Sequence, residues 1–290
     1  MSPSRTLIAA LCWSLAATTW PGRAAAQQVQ LAMENGMTAL ADYREGDPRL
    51  PAVLILHGFL QTYHFSIVQK LADELADAGY TILAPNLTLG VDSRSEPLTC
   101  SAIQNHRFED SDAELVRWLD WLQGRGHVRA AAIGHSSGAA RLVHFLTTPA
   151  GKRLAAVIAV SPTFPAAALA PEAQAAQIAR ARANLARDAR SVDRYTLGYC
   201  QGNYVAPPAA ALSWSQVTPE SLGSGFRQGG RRLMVIWGSA DRVVPDSLRQ
   251  VVAGSGVEYH TVEGANHFFS DAGEFELFDL VLAHLEALGG

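Results

Sequence analysis

Three side chains of this 290-residue chain have the types and positions for nucleophilic catalysis: Ser136, Asp241 and His267. A serine hydroxyl is a poor nucleophile at neutral pH and needs a base within hydrogen-bond reach. The His267 imidazole would take the Ser136 proton and later give it to a leaving group. Asp241 would hold the imidazole tautomer and stabilise the imidazolium. Backbone N–H groups beside the serine would then have to bind the oxygen that becomes negative in a tetrahedral intermediate, the Ser137 amide being adjacent. Losing one such donor typically costs about 3 kcal/mol. The chemistry is acyl transfer through a covalent intermediate on Ser136.

The spacing says what must hold these groups. Gly134-His135-Ser136-Ser137-Gly138 follows the apolar run 129–133 and precedes 139–146, which has helical spacing. A G-x-S-x-G between strand and helix puts its serine in a strained turn, and Gly134 and Gly138 let two backbones approach. Ser137 is not a second nucleophile, since Ala139 stands where the motif would need glycine. Asp241 and His267 follow strand-like runs at 232–237 and 257–262, just past the ends where open α/β sheets build their sites. Asp246 and Asp271 compete with Asp241, and His260 competes poorly with His267 because it falls inside a strand. Upstream, 53–57 is an apolar strand running into a turn at Gly58-Phe59.

The chain order Ser, Asp, His, with these four motifs, resembles the α/β-hydrolase superfamily, in motif style closest to bacterial carboxylesterases and lipases with an H-G-F turn. The likeness spans essentially the whole chain after its leader. It implies an α/β fold: a mostly parallel sheet of about eight strands, helices on both faces, and a helical cap inserted between the sixth and seventh strands. It also implies Phe59 as the second oxyanion donor, hydrolysis of a small-molecule ester, and no cofactor. Haloalkane dehalogenases of this fold carry aspartate at the nucleophile position and dienelactone hydrolases cysteine, so both resemble it less. The same triad would serve a thioesterase, amidase or peptidase, and a non-catalytic ligand-binding protein could share the fold.

The rest of the pattern agrees with that architecture. Strands at 29–33 and 37–43 flank Glu34-Asn35-Gly36, a hairpin signal. A helix is predicted over 66–78, stopped by Gly79, and a strand over 81–84, broken by Pro85. The stretch 86–108 reads as a long irregular loop. Helices follow at 112–122 and 274–288, the last with Phe275, Phe278, Val281, Leu282 and Leu285 on one face, and another apolar strand at 155–161. Alternation stops between Ser161 and Arg232. There an alanine-rich helix at 171–190 precedes a Tyr-, Gly- and Pro-rich segment. The expected division is therefore core at 27–161 and 231–290, with the cap at 162–230.

Residues 1–26 read as a secretory leader: a basic start at Arg5, an apolar run over 7–17 too short to span a membrane, and a cleavage site at Ala24-Ala25-Ala26. The expectation is an exported protein, periplasmic or secreted, with no stable membrane insertion. Arg5 and Arg23 would leave with the leader, taking the formal charge from −4 to −6. That excess of acid excludes nucleic acid as the natural partner, and the size suits a monomer or weak oligomer. Cleavage also leaves two cysteines, Cys100 and Cys200, a candidate disulfide in an exported protein. His57 and His135 beside the site lack any zinc-binding spacing, so they read as supporting histidines and no metal is expected. The arginines at 180, 182, 187, 190 and 194 read as a solvated face. Tyr195, Tyr199, Tyr204 and Trp214 read first as glue for the cap and second as a pocket lining.

Overall fold

The structure, a computed structural model, describes residues 25–270 and 273–288. The leader, apart from its last two residues, and Asp271 lie outside them. The antiparallel pair β1 (Gln27–Ala32) and β2 (Thr38–Arg44) opens the fold, with Gly36 at φ +81° in the connection. Next come β3 (Ala52–Leu56), α1 (Ser66–Asp77), β4 (Ile82–Asn86), α2 (Asp110–Gly124), β5 (Ala130–His135), α3 (Ser137–Phe145) and β6 (Leu154–Val160). Beyond β6 lie α4 (Pro171–Arg187), the hairpin β7 (Asp193–Leu197) and β8 (Cys200–Ala206), α5 (Pro208–Ser215) and α6 (Pro219–Gly229). The chain closes with β9 (Leu233–Gly238), α7 (Asp246–Ala253), β10 (Glu258–Val262) and α8 (Glu274–Glu286).

Among the described residues, eight strands form one sheet in the order β1-β2-β4-β3-β5-β6-β9-β10, parallel from β4 to β10. Successive residues of a strand point to opposite faces, so a fully apolar strand feeds two cores. In β3, Leu54 and Leu56 join a cluster with α2, α3 and the segment after β6, while Val53 and Ile55 join one with α1 and α8. The strand order reverses across β3 and β5, and at such a switch point the loops part and leave a crevice.

Three local expectations are corrected. Pro85 does not break β4, which runs on to Asn86 paired with β2. From Ala84 onward β4 has lost β3 as a neighbour, and a strand paired on one side tolerates a residue without an N–H. Phe275 is 81% exposed, because the buried stripe of α8 runs through Leu277, Phe278, Val281 and Leu285. At 100° per residue Phe275 falls about 120° from Val281, off that stripe. Third, the cap is not wholly helical, since the segment after α4 forms a hairpin before its two helices. α4, the hairpin and α5 pack together, whereas α6 lies beside α3 and α7, with Gly225 against the Val143 carbonyl.

Candidate active site

Ser136 stands between β5 and α3 at φ +58°, ψ −122°, a conformation that costs a non-glycine residue roughly 1–3 kcal/mol. The neighbours explain the flanking glycines. A Cβ on Gly134 would lie 2.6 Å from the Gly138 carbonyl, and one on Gly138 would lie 2.5 Å from the His57 oxygen. Both are backbone contacts that cannot move aside. The second also shows how closely α3 abuts the end of β3, and Gly58 stands beside Ser136 for the same reason.

The three side chains named from the sequence come together. His267 Nε2 lies 3.1 Å from Ser136 Oγ, and His267 Nδ1 lies 2.9 Å from Asp241 Oδ2. A carboxylate accepts, so Nδ1 carries the proton and Nε2 is free to accept from the serine hydroxyl. Asp241 Oδ1 accepts from the amides of Val243 (2.8 Å) and Val244 (3.1 Å), which fix the carboxylate from the side away from His267. Burial pushes the Asp241 carboxyl up, but the bond and charge of His267 and the Val243 amide outweigh it and hold it at about 2. It is ionised at any neutral pH. The competitors stand elsewhere: Asp246 is exposed on the first turn of α7, and His260 pairs with Glu258 on β10.

The supporting histidines are both buried. His135 Nε2 donates to the His267 carbonyl at 2.9 Å, bracing the loop that carries the imidazole. Burial pulls its pKa down to about 3, so it is neutral. His57 donates from Nδ1 to the Gly58 carbonyl at 2.8 Å. Among the described residues, no group of three or more His, Cys, Asp or Glu side chains could hold a metal ion. The amides of Phe59 and Ser137 find no acceptor among the described residues. Ser137 is the first residue of α3, where helical N–H groups have no partner in the helix.

A cavity of about 490 Å³ opens over Ser136, walled by Phe59, Phe65, Phe164, Tyr199 and Phe268, with Gln61, Thr163 and Arg242 as its polar side chains beside His135, Ser137 and His267. Of the four cap aromatics, Tyr199 reaches the cavity and donates its hydroxyl to the Phe59 carbonyl at 3.3 Å. Tyr204 and Trp214 pack on the inner side of the Phe59 ring, and Tyr195 is buried in the cap. Cys100 and Cys200 are bonded, with Cα atoms 5.5 Å apart, tying the loop after β4 to the hairpin. Backbone bonds from Gln104 and Val205 reinforce the same seam. The arginine run stays on the cap surface, Arg180 pairing with Asp193 and Arg194 with Asn203. Sequence reasoning missed Arg94, which is buried in the loop after β4 and bonded to His57. It belongs to no motif.

No protein with a curated description matches the chain by sequence. Solved structures do resemble it. Est1E from Butyrivibrio proteoclasticus is 14% identical with a TM-score of 0.64, over 91% of this chain and 98% of that one. The Pyrococcus furiosus esterase Pf2001 is 16% identical with a TM-score of 0.60, over 92% of each chain. The thioesterase domain of the curacin biosynthetic pathway is 18% identical with a TM-score of 0.60, over 89% of this chain and 99% of that one. At such identities the likeness is one of fold. The sequence model of the alpha/beta hydrolase family matches residues 53–277, from β3 into α8 and across all four motifs. By its sequence as by its sheet, the chain belongs to the alpha/beta hydrolase family.

Proposed function

We propose that this protein is an exported serine hydrolase that cleaves carboxylic esters through an acyl-enzyme on Ser136. The observation that carries the reading is the unbroken series from Ser136 Oγ through His267 to Asp241, at 3.1 and 2.9 Å, beside two amides with no acceptor among the described residues. Ser136 Oγ attacks the ester carbonyl while its proton passes to His267 Nε2. The carbonyl oxygen, now negative, is held by the Phe59 and Ser137 amides. The C–O bond then breaks, and His267 returns the proton to the departing alcohol. Water repeats the sequence on the acyl-enzyme and releases the acid, restoring Ser136.

The apolar, aromatic cavity supports an acyl group of low polarity, and the esterases and thioesterase of like fold support acyl transfer to water. The leader pattern and the Cys100–Cys200 bond support export. The test is turnover of p-nitrophenyl esters from acetyl to palmitoyl by the mature protein and by Ser136→Ala. Loss of the nucleophile is expected to lower turnover about a million-fold. A fluorophosphonate should label the wild type and leave the variant unlabelled. Turnover of thioesters or amides in preference to esters would move the substrate class. A wild type that neither turns over nor labels would sink the enzyme reading in favour of ligand binding.

A further inference from the structure

The turn after β3 has each of its carbonyls tied down. Gly58 O accepts from His57 Nδ1 at 2.8 Å and from the Gln61 amide at 3.3 Å. Phe59 O accepts from the Tyr199 hydroxyl, Leu60 O from the Leu98 amide at 2.9 Å, and Gln61 O from Arg94 Nη1 at 2.8 Å. Leu60 meanwhile sits at φ +58°, a strained position that such bonds must hold.

The first of these bonds matters most. The Gly58 carbonyl and the Phe59 N–H belong to one planar trans peptide, so they point in opposite directions. Whatever fixes that carbonyl also aims the amide. A Cβ at 58 would crowd the Ser136 Cβ at 3.3 Å, and the glycine that avoids this is also the residue whose peptide turns most freely. Within the turn the Gln61 amide reaches that carbonyl only at 3.3 Å, so the aim needs a closer donor.

His57 supplies it, and Arg94 sets His57. His57 Nε2 faces two donors, Arg94 Nη2 at 2.9 Å and the Leu87 amide at 3.2 Å, so it must be bare and Nδ1 must carry the hydrogen. Arg94 is buried, and its remaining bonds go to the carbonyls of Leu87, Gln61 and Glu96. Among the described residues no carboxylate bonds to it. Glu114, which acts on it through charge, is itself taken by the Thr88 amide and hydroxyl. A buried guanidinium without a bonded carboxylate is poor value as a stabilising device, since its desolvation is offset only by three backbone carbonyls, the His57 nitrogen and the unbonded charge of Glu114.

We propose that Arg94 is a positioning residue for the oxyanion site: by locking His57 with its hydrogen on Nδ1, it aims the Phe59 amide at the oxygen of the tetrahedral intermediate. The proposal rests on the serine hydrolase reading. Its test compares wild type with Arg94→Met, Arg94→Lys, His57→Gln and His57→Asn. Asparagine keeps an N–H near the place of Nδ1 and glutamine does not, so His57→Asn should rescue what His57→Gln loses.

For the arginine variants and His57→Gln, kcat should fall about 10- to 100-fold, a fraction of the effect of deleting an oxyanion donor outright, with KM little changed. Affinity for a trifluoromethyl ketone, which forms the oxyanion, should fall in step. Affinity for the matching methyl alcohol, which cannot, should stay. Equal losses for both inhibitors, activity that merely tracks the folded fraction in thermal melts, or wild-type kcat in Arg94→Met would overturn the proposal. If the wild type neither hydrolyses esters nor takes the phosphonate, the serine hydrolase reading is what fails. In that case the ¹⁵N shifts of His57 and hydrogen exchange at the Phe59 amide still decide whether Arg94 sets the turn, and no change in Arg94→Met counts against it.

Discussion

Gly134 and Gly138 make the strained turn at Ser136 possible, and their cost of replacement follows from contact distances. Gly134→Ala and Gly138→Ala each drive a methyl into backbone at 2.6 and 2.5 Å, so each should destabilise the fold by about 3 kcal/mol or more in urea unfolding. Gly124, at the end of α2, has nothing within 4 Å of a Cβ. Gly124→Ala should be neutral or stabilise by up to about 1 kcal/mol, which makes it the control. Ser136, Asp241 and His267 were legible in the sequence because local sterics and strand ends fix where such residues can stand. Arg94 was not. Its partners are His57 and the carbonyls of Leu87, Gln61 and Glu96, gathered by the fold from two separate loops, and such contacts leave no spacing behind.

The hairpin of β7 and β8 is the element that joins cap to site. It carries Tyr199 and Gly198 to the cavity, with Gly198 packed on the Phe59 ring, and the disulfide pins its other flank to the loop after β4. Removing the bond with Cys100→Ser plus Cys200→Ser should cost about 2–5 kcal/mol by denaturant titration. Because the hairpin supplies a cavity wall rather than a reacting group, the same variant should raise KM more than it lowers kcat. A double variant with KM and stability unchanged would show that the seam holds without the bond. The hairpin does leave a signal in the sequence: Gly198-Tyr199 is a two-residue turn opening on glycine, and Tyr195 and Leu197 alternate inward with Arg194 and Thr196 outward. Its richness in Tyr, Gly and Pro masked that period. The helix at 171–190 ended slightly early, at Arg187, with Asp188 already extended.

At the scale of the molecule, three buried histidines set the response to acid. Burial drives His57 well below its ordinary range and His106 and His135 to about 3, so all three stay neutral in the fold. In the unfolded chain each takes a proton near pH 6.5. Stability from these groups is thus full above pH 6.5 and is lost as pH falls from there toward 3. The unfolded state binds up to three extra protons, a slope of about 4 kcal/mol per pH unit at its steepest, so unfolding near pH 4–5 is expected for a fold of ordinary stability. Circular dichroism against pH checks this, and His106→Gln should shallow the slope. A molecule still folded at pH 3 would contradict it. The mostly parallel sheet was legible because buried parallel strands read as unbroken apolar runs, and 53–56, 130–133, 154–160 and 233–237 are such runs; the order of the strands, set by which of them pair side by side, leaves no such mark.

The bridge between Cys100 and Cys200 also makes part of the chain a ring, with Ser136 inside it and Asp241 and His267 on the tail beyond. A protease that cuts once within the ring, at exposed Arg190 between α4 and β7, would leave two fragments still joined by sulfur. Such a molecule would keep its full mass until reduced, with its serine and its imidazole still in one particle. If the protein is exported, as proposed, being cut by a protease and being inactivated would become separate events.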